Sequence, residues 1–298
     1  MKIPTKTAKT FHLLTALFLV LAAFTPGLVL AEDTDETYGV FLPTAFRTFA
    51  FSGPATVTGE VYSALVGKQG GEVSGASVCV KNTTRCALTN TTGMYEITDL
   101  ASGIITLVVT KDGYAALERA VQIIAGQNTI DLPISPLIEA DQFRIVVTWQ
   151  AGIDLDANLW LPRETPYYVN AAQTGATSGL GNCDVFPYAE LDNDSVDGSK
   201  PETITICEVQ PGEYTFAVYH ILYATQTSTD PAYAFDKIGV TVDVYDDTGL
   251  ALSIQPPTPA DPLSVFWKVF TLDLSDPSDL TVVNTISNIY PVQLPYPP

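Results

Sequence analysis

The chain has 298 residues, with 14 Lys and Arg, 33 Asp and Glu and two His, so its formal net charge is −19. This acidity excludes an electrostatic footprint for nucleic acid, which needs clustered Lys and Arg. Two histidines and four cysteines are too few for most zinc sites and for most His-based catalysis. A hydrophobic share of 46% excludes an intrinsically disordered acidic chain.

The N-terminus has the pattern of an export signal. Three lysines precede an apolar run at 11–23. The small-to-medium residues Val29-Leu30-Ala31 then form an acceptable cleavage site before Glu32. We therefore predict a cleaved signal peptide at 1–31 and a secreted, periplasmic or cell-surface protein. The alternative is an uncleaved anchor helix, although Pro26 and Gly27 interrupt the run. No later stretch approaches membrane-spanning length, so the mature chain is predicted to have no transmembrane segment.

Residues 32–54 begin acidic and then become aromatic. They are predicted to be a linker or a docking segment. Residues 40–51 are too apolar for a free linker, and we expect them to lie against the body or to add as a strand to a partner.

Two blocks of short β-patterned segments follow, and no segment outside the signal shows a helical period. The first block, 55–136, has runs at 57–62, 76–81, 93–97, 104–110, 120–124 and 128–134. The second, 141–286, has runs at 143–149, 155–161, 202–207, 213–221, 239–245 and 265–274. This spacing predicts an all-β protein of two antiparallel β-sandwich domains, transthyretin-like or immunoglobulin-like. The Pro-rich tail at 287–298 is predicted to be extended and exposed.

All four cysteines follow the predicted signal, and an even number in an exported chain suggests disulfides. Three pairings are possible. We favour Cys79–Cys86 and Cys183–Cys207, because each closes a loop within one predicted domain.

The first block carries Gly59-Glu60-Val61, the turn and strand at 89–95, and Lys111-Asp112-Gly113-Tyr114. In these motifs it resembles the carboxypeptidase regulatory-like domain over residues 55–135. That resemblance implies a transthyretin-like sandwich that accompanies a catalytic domain and is not itself a peptidase.

The second block opens with Val147-Thr148-Trp149, continues with Asp154-Leu155-Asp156, and later has Pro201-Glu202-Thr203-Ile204 after an acidic loop. This order resembles an uncharacterised domain family of bacterial secreted and periplasmic proteins. Lys200 stands where that family usually has Gly. The resemblance carries no catalytic residues.

Carboxylates in the second block form a candidate calcium site. Its six predicted ligands are Asp154, Asp156, Asp192, Asp194, Asp197 and Glu202. Alternate residues on a strand share a face, and crowded carboxylates repel one another unless a hard cation binds them. The loop is not an EF-hand, because Ile204 stands where the twelfth-position Glu is needed. The alternative is a solvated acidic turn.

An enzyme is not expected. His220 is the one histidine after the predicted signal, and no Gly-x-Ser-x-Gly motif accompanies it. The predicted function is an exported binding or structural module with a protein or polysaccharide partner at the cell surface. The alternative is a carbohydrate-binding module or an accessory subunit of a secreted hydrolase. Its sugar platform would use Trp160, Tyr167, Tyr168, Tyr188, Tyr219 and Tyr223.

Overall fold

We describe the chain from a computed structural model, which describes residues 53–150, 152–162, 167–171, 178–273 and 279–289. The predicted signal peptide, nearly all of the 32–54 segment and the tail from residue 290 lie outside these ranges. All the described residues belong to one compact unit.

The described residues are almost entirely β-structure, as the sequence predicts. The strands of the first block are β1 Pro54–Ser63, β2 Ser77–Val80, β3 Cys86–Leu88, β4 Met94–Ala101, β5 Gly103–Thr110, β6 Leu117–Ile123, β7 Gly126–Thr129 and β8 Leu132–Ile134. Those of the second block are β9 Phe143–Thr148, β10 Leu155–Leu161, β11 Tyr167–Val169, β12 Ser178–Gly179, β13 Gly181–Asn182, β14 Ala189–Asn193, β15 Glu202–Ile206, β16 Glu213–His220, β17 Thr241–Asp246, β18 Gly249–Ile254, β19 Phe266–Asp273 and β20 Asp279–Ser287. Two short helical turns, Ile221–Ala224 and Pro231–Tyr233, join β16 to β17.

The first block forms a sandwich of two small sheets. One has the order β4-β1-β7 with β8 also paired to β1, and the other has the order β3-β2-β5-β6. Alternating strands such as β1 place Ala55, Val57 and Val61 in the core between the sheets. Gly59 is required in β1, because a Cβ there would lie 1.8 Å from the carbonyl oxygen of Ile130.

The second block forms a larger sandwich with its own core. Its sheets have the orders β12-β11-β10-β16-β19-β20 and β13-β14-β15-β9-β17-β18. Trp267, Tyr214 and Phe216 are among its fully buried side chains. Sequence-distant strands are neighbours here, since β9 lies between β15 and β17.

The sheet that contains β9, β15 and β17 is the middle layer of the molecule, and these strands are buried on both faces. Ile145 points into the second core, whereas Val146 packs outward with Ala64, Ala115 and Tyr245 in a cluster between the two sandwiches. Only β9 has a mostly apolar sequence. β15 and β17 carry polar residues such as Thr203 and Asp243 on the face toward the first sandwich, where these side chains are buried and paired.

Polar groups at this junction are paired across it. The hydroxyl of Thr203 donates to the carbonyl oxygen of Ala64 at 2.7 Å. The guanidinium of Arg144 donates to the hydroxyl of Ser135 at 2.9 Å. Arg119 of β6 forms an ion pair with Asp243 of β17, whose side chain is 1% exposed. The domain boundaries at 136 and 141 remain predictions, because the two sandwiches cluster as one unit in the structure.

Both favoured disulfide pairings are confirmed. Cys79–Cys86 joins directly paired positions of β2 and β3, and Cys183–Cys207 ties the loop after β13 to the end of β15. Within the described residues, no helix is long and apolar enough to cross a membrane.

The two disulfides should differ in their contribution to stability. Their sequence separations are 7 and 24 residues. Loop-closure entropy then gives a loss of about 2.5 kcal/mol for Cys79→Ser/Cys86→Ser and about 3.5 kcal/mol for Cys183→Ser/Cys207→Ser. Urea unfolding of both variants beside the wild type measures the two losses. A larger loss for the short loop would contradict the entropic account.

Candidate functional site

The candidate site lies at one edge of β10, where that strand has only partial cover from its neighbour. Among the described strands, β11 pairs with β10 only from Leu159 to Leu161, so the first half of that edge is open. Asp156 lies in this open half, Asp194 directly follows β14, and Glu202 begins β15. One carboxylate oxygen from each of these three residues lies within 4.8 Å of the others. These groups could together hold a metal ion.

Glu202 is the fixed member of the group. Its side chain is fully buried. One carboxylate oxygen accepts the backbone N–H of Ala157 at 2.5 Å, and the other accepts that of Ser195 at 3.3 Å. Glu202 therefore connects the open edge of β10 to the acidic loop 194–200. Each carboxylate oxygen keeps a second lone pair that can bind a cation.

Asp154 and Asp197 lie at the margin of the site. The Oδ1 atom of Asp154 is buried and has no hydrogen-bond partner among the described residues. Burial, followed by the charges of Asp194 and Asp197, raises the pKa of Asp154. Asp197 is exposed and accepts the backbone N–H of Ser199 at 2.9 Å. Hydrogen bonding from the side chain of Ser199, followed by that from its backbone, lowers the pKa of Asp197.

Asp192 is not brought to this group. Its carboxylate accepts the hydroxyl of Thr205 at 2.6 Å. Burial raises the pKa of Asp192 to about 6, against the opposing effects of Thr205 and the nearby Arg144. Strand alternation alone would place Asp192 and Asp194 on the same face. A bulge between Leu191 and Asn193 shifts the register, so the two side chains reach different partners.

The electrostatics of the group favour a bound cation. Burial, then the charges of Asp154 and Asp194, raises the pKa of Asp156 to about 7. Burial also raises the pKa of Glu202 well above its ordinary value, although the N–H of Ala157 opposes it. Near neutral pH the protein therefore either takes up protons here or supplies another positive charge. A hard cation with oxygen ligands meets that need.

A second group, Cys183, Cys207 and Glu190, also lies within 4.8 Å. Both cysteines are in a disulfide, so neither offers a thiolate to a metal.

His220 is unsuited to act as an accessible base. Its ring is fully buried, stacks on Tyr223 at 3.9 Å between centroids, and contacts the carbonyl oxygen of Tyr233 through Nε2 at 2.9 Å. Burial lowers its pKa, so the ring is held neutral.

The six aromatic residues proposed for a sugar platform do not share one exposed face. Trp160 and Tyr223 are 2% and 6% exposed, and the other four are half-buried. Trp160 and Tyr168 are tilted by 31°. These rings pack mainly within the protein.

Two sets of polar groups were not predicted from the sequence. The backbone donors of Ala157 and Ser195 are one set, and no side-chain pattern reveals them. The other set is Lys68 and Arg119, which face the second sandwich from the first. Each is an isolated charged residue within a β-patterned sequence, and nothing near it in the sequence indicates its partner. Ion pairs between segments far apart in the sequence form only on folding.

Comparison with known proteins supports the assignment of the first block. Residues 57–147 match the family model described as the CarboxypepD_reg-like domain, which confirms the resemblance seen at 55–135. The match extends into β9, the first strand of the second sandwich. That second block, likened to an uncharacterised bacterial family, is a β-structure as expected. No curated protein sequence matches the chain.

Several solved structures are partly similar. A type II cohesin–X-dockerin complex from Acetivibrio cellulolyticus is 27% identical over 27% of this chain and 56% of that chain, with a TM-score of 0.24. A putative carbohydrate binding protein from Bacteroides uniformis is 13% identical over 56% and 88%, with a TM-score of 0.22. A DUF3823 family protein from Bacteroides ovatus is 11% identical over 55% and 89%, with a TM-score of 0.21. The aligned part thus spans about half of the cohesin–dockerin chain, and TM-scores at this level transfer no ligand or activity.

The raised pKa of Asp156 predicts how the metal-free protein responds to pH. A carboxyl group with a raised pKa in the folded state stabilises that state at low pH, and the contribution is lost as pH rises from about 4 to about 7. The free energy of unfolding of Asp156→Asn should therefore equal that of the wild type near pH 4. At pH 7.5 it should be higher than that of the wild type by about 1–2 kcal/mol, after allowance for solvent screening.

Urea unfolding in chelator across this pH range measures the difference. Subtracting the wild-type curve removes the contribution of His220, which has the opposite sign. The exposed Asp112→Asn serves as the charge-matched control. A difference that does not change with pH would contradict the assignment.

Proposed function

We propose that the chain is an exported, non-catalytic binding module of the bacterial envelope or extracellular space, and that a calcium ion stabilises its second sandwich. The observation that carries the calcium proposal is the convergence of Asp156, Asp194 and Glu202 from three separate segments. Asp154 is close enough to raise the pKa of Asp156, so it belongs to the same electrostatic group.

Calcium fits this arrangement better than softer metals do. All the candidate ligands are carboxylate oxygens, and calcium takes six to eight oxygen ligands in flexible geometry. The described site offers no histidine, and its neighbouring cysteines are oxidised. Carboxylates, backbone carbonyls and water can complete the shell.

Two features support export and a non-catalytic role. Two disulfides are typical of proteins that fold in oxidising compartments, which agrees with the predicted signal peptide. The matched regulatory-like domain accompanies catalytic domains, and buried His220 offers no accessible base. We therefore place the protein outside the cytoplasm, where it binds a protein or polysaccharide partner at the cell surface.

Calcium should raise the thermal stability of the wild type. A ligand that binds only the folded state adds about 2.7 kcal/mol at a hundredfold excess over Kd. For a unit of this size that corresponds to a rise in Tm of about 5–10 °C. Calorimetry in millimolar calcium and in chelator measures the shift, and Asp194→Asn should abolish it.

Two variants control this experiment. Asp192→Asn changes a neighbouring carboxylate that faces Thr205, so it should keep the calcium shift. Asp112→Asn makes the same charge change on the first sandwich and should also keep it. If calcium does not shift the Tm of the wild type, or shifts the Tm of Asp194→Asn by the same amount, the calcium proposal is wrong and the cluster is a solvated acidic turn.

A further inference from the structure

A polar cavity of about 310 Å³ lies between the two sandwiches. The first sandwich contributes Lys68, Arg119, Thr129 and Asp131 to its wall, and the second contributes Thr148 and Gln150. Its volume is at the lower end of ligand pockets, which hold about 300–1,000 Å³. The cavity therefore has room for one small ring or a few linked polar groups.

The charged residues of the cavity are already neutralised. The ammonium of Lys68 and the carboxylate of Asp131 are 2.5 Å apart. Arg119 is paired with Asp243, which also accepts the hydroxyl of Ser253 at 2.6 Å. The wall therefore presents hydrogen-bond donors and acceptors with no net charge among these four groups.

Two side chains of this wall are open to a ligand, and one nearby donor is not. The Nε atom of Arg119 has no hydrogen-bond partner among the described residues, but it is buried, so a ligand in the cavity does not reach it. The side chains of Thr129 and Gln150 are exposed, so a ligand in the cavity can reach them without displacing the core.

This chemistry discriminates between classes of ligand. An anion would find both cationic groups already paired and would meet Asp131, whereas a cation would meet Lys68 and Arg119. An apolar ligand would leave these polar groups desolvated and unpaired, which is costly. A neutral polyhydroxy compound suits the wall, because each hydroxyl both donates to a carboxylate and accepts from an ammonium or amide.

Recognition here would rest on hydrogen bonds, with little ring stacking. Trp149 and Tyr62 border the cavity but are each 5% exposed. The indole N–H of Trp149 also donates to the carbonyl oxygen of Ile153 at 2.8 Å, which fixes the ring within the second sandwich. Neither ring is therefore available to stack on a ligand in the cavity.

We propose that this cavity binds a neutral sugar ring, either as a free monosaccharide or as one residue of a saccharide chain. This rests on the proposed function as a binding module, and it names the ligand class and the site. The acidic loop 194–200 contributes Gly198 to the same wall. The sugar site and the proposed calcium site therefore share one loop but use different side chains.

Saturation-transfer NMR and calorimetric titration of the full chain in calcium test the proposal. The probes are glucose, galactose, mannose, N-acetylglucosamine and a β-1,4-linked disaccharide, with glucuronate and inorganic phosphate as anionic arms. At least one neutral sugar should bind, and Thr129→Val/Gln150→Ala should weaken it about tenfold or more. Monosaccharide binding equal to disaccharide binding indicates a free sugar, and tighter disaccharide binding indicates a chain.

The matched control is Thr98→Val/Gln122→Ala, which removes the same groups from exposed positions that do not line the cavity. It should bind as the wild type does. Absence of neutral-sugar binding, binding of the anions alone, or equal binding by both double variants would overturn the proposal. If sugar binding fails while the calcium shift in Tm persists, the cavity inference fails and the proposed calcium-stabilised module stands. Sugar binding without a calcium shift would instead overturn the calcium proposal and leave the sugar site standing.

Discussion

The outer face of the middle sheet has to be covered, and this requirement shapes the molecule. β9, β15 and β17 are buried on both faces, so each face has to pack against another part of the protein. The first sandwich covers the outer face through the cluster around Val146 and Tyr245. The polar residues on that face, such as Thr203 and Asp243, are also buried, and they pair with groups of the first sandwich. Here the two sandwiches share the burial, so they form one compact unit.

Polar groups within that junction restrict how the sandwiches can meet. Arg119 and Asp243 are 13% and 1% exposed, so their ion pair is almost entirely desolvated. Breaking such a pair from one side costs about 3–5 kcal/mol, although replacing both partners can be neutral. The pair therefore contributes more to a unique arrangement than to net stability.

The acidic site depends on the same middle sheet. β15 carries Glu202 at its first residue, and the loop that precedes it carries Asp194. Because Glu202 is fully buried, its charge is compensated by two backbone N–H groups from separate segments. Those donors fix the loop against β10 but do not neutralise Asp156, whose pKa is raised to about 7. The edge of β10 is thus both well ordered and electrostatically strained. A cation bound there reduces the repulsion between the carboxylates and leaves the backbone hydrogen bonds in place.

Local pattern in the sequence determined the β-class and most strand positions and favoured the disulfide pairing that the structure has, because alternation, turn residues and short loop spacing are properties of neighbouring residues. It also marked the carboxylates of a candidate site, since Asp154, Asp156 and the acidic loop are each local motifs. Only the tertiary structure decided that Asp194 and Glu202 meet Asp156 while Asp192 turns to Thr205, because one bulge in β14 reverses which side chains share a face. It alone brought Lys68, Arg119 and Asp131 to face Thr148 and Gln150, since residues far apart in sequence become neighbours only when a shared buried sheet forces two sandwiches together.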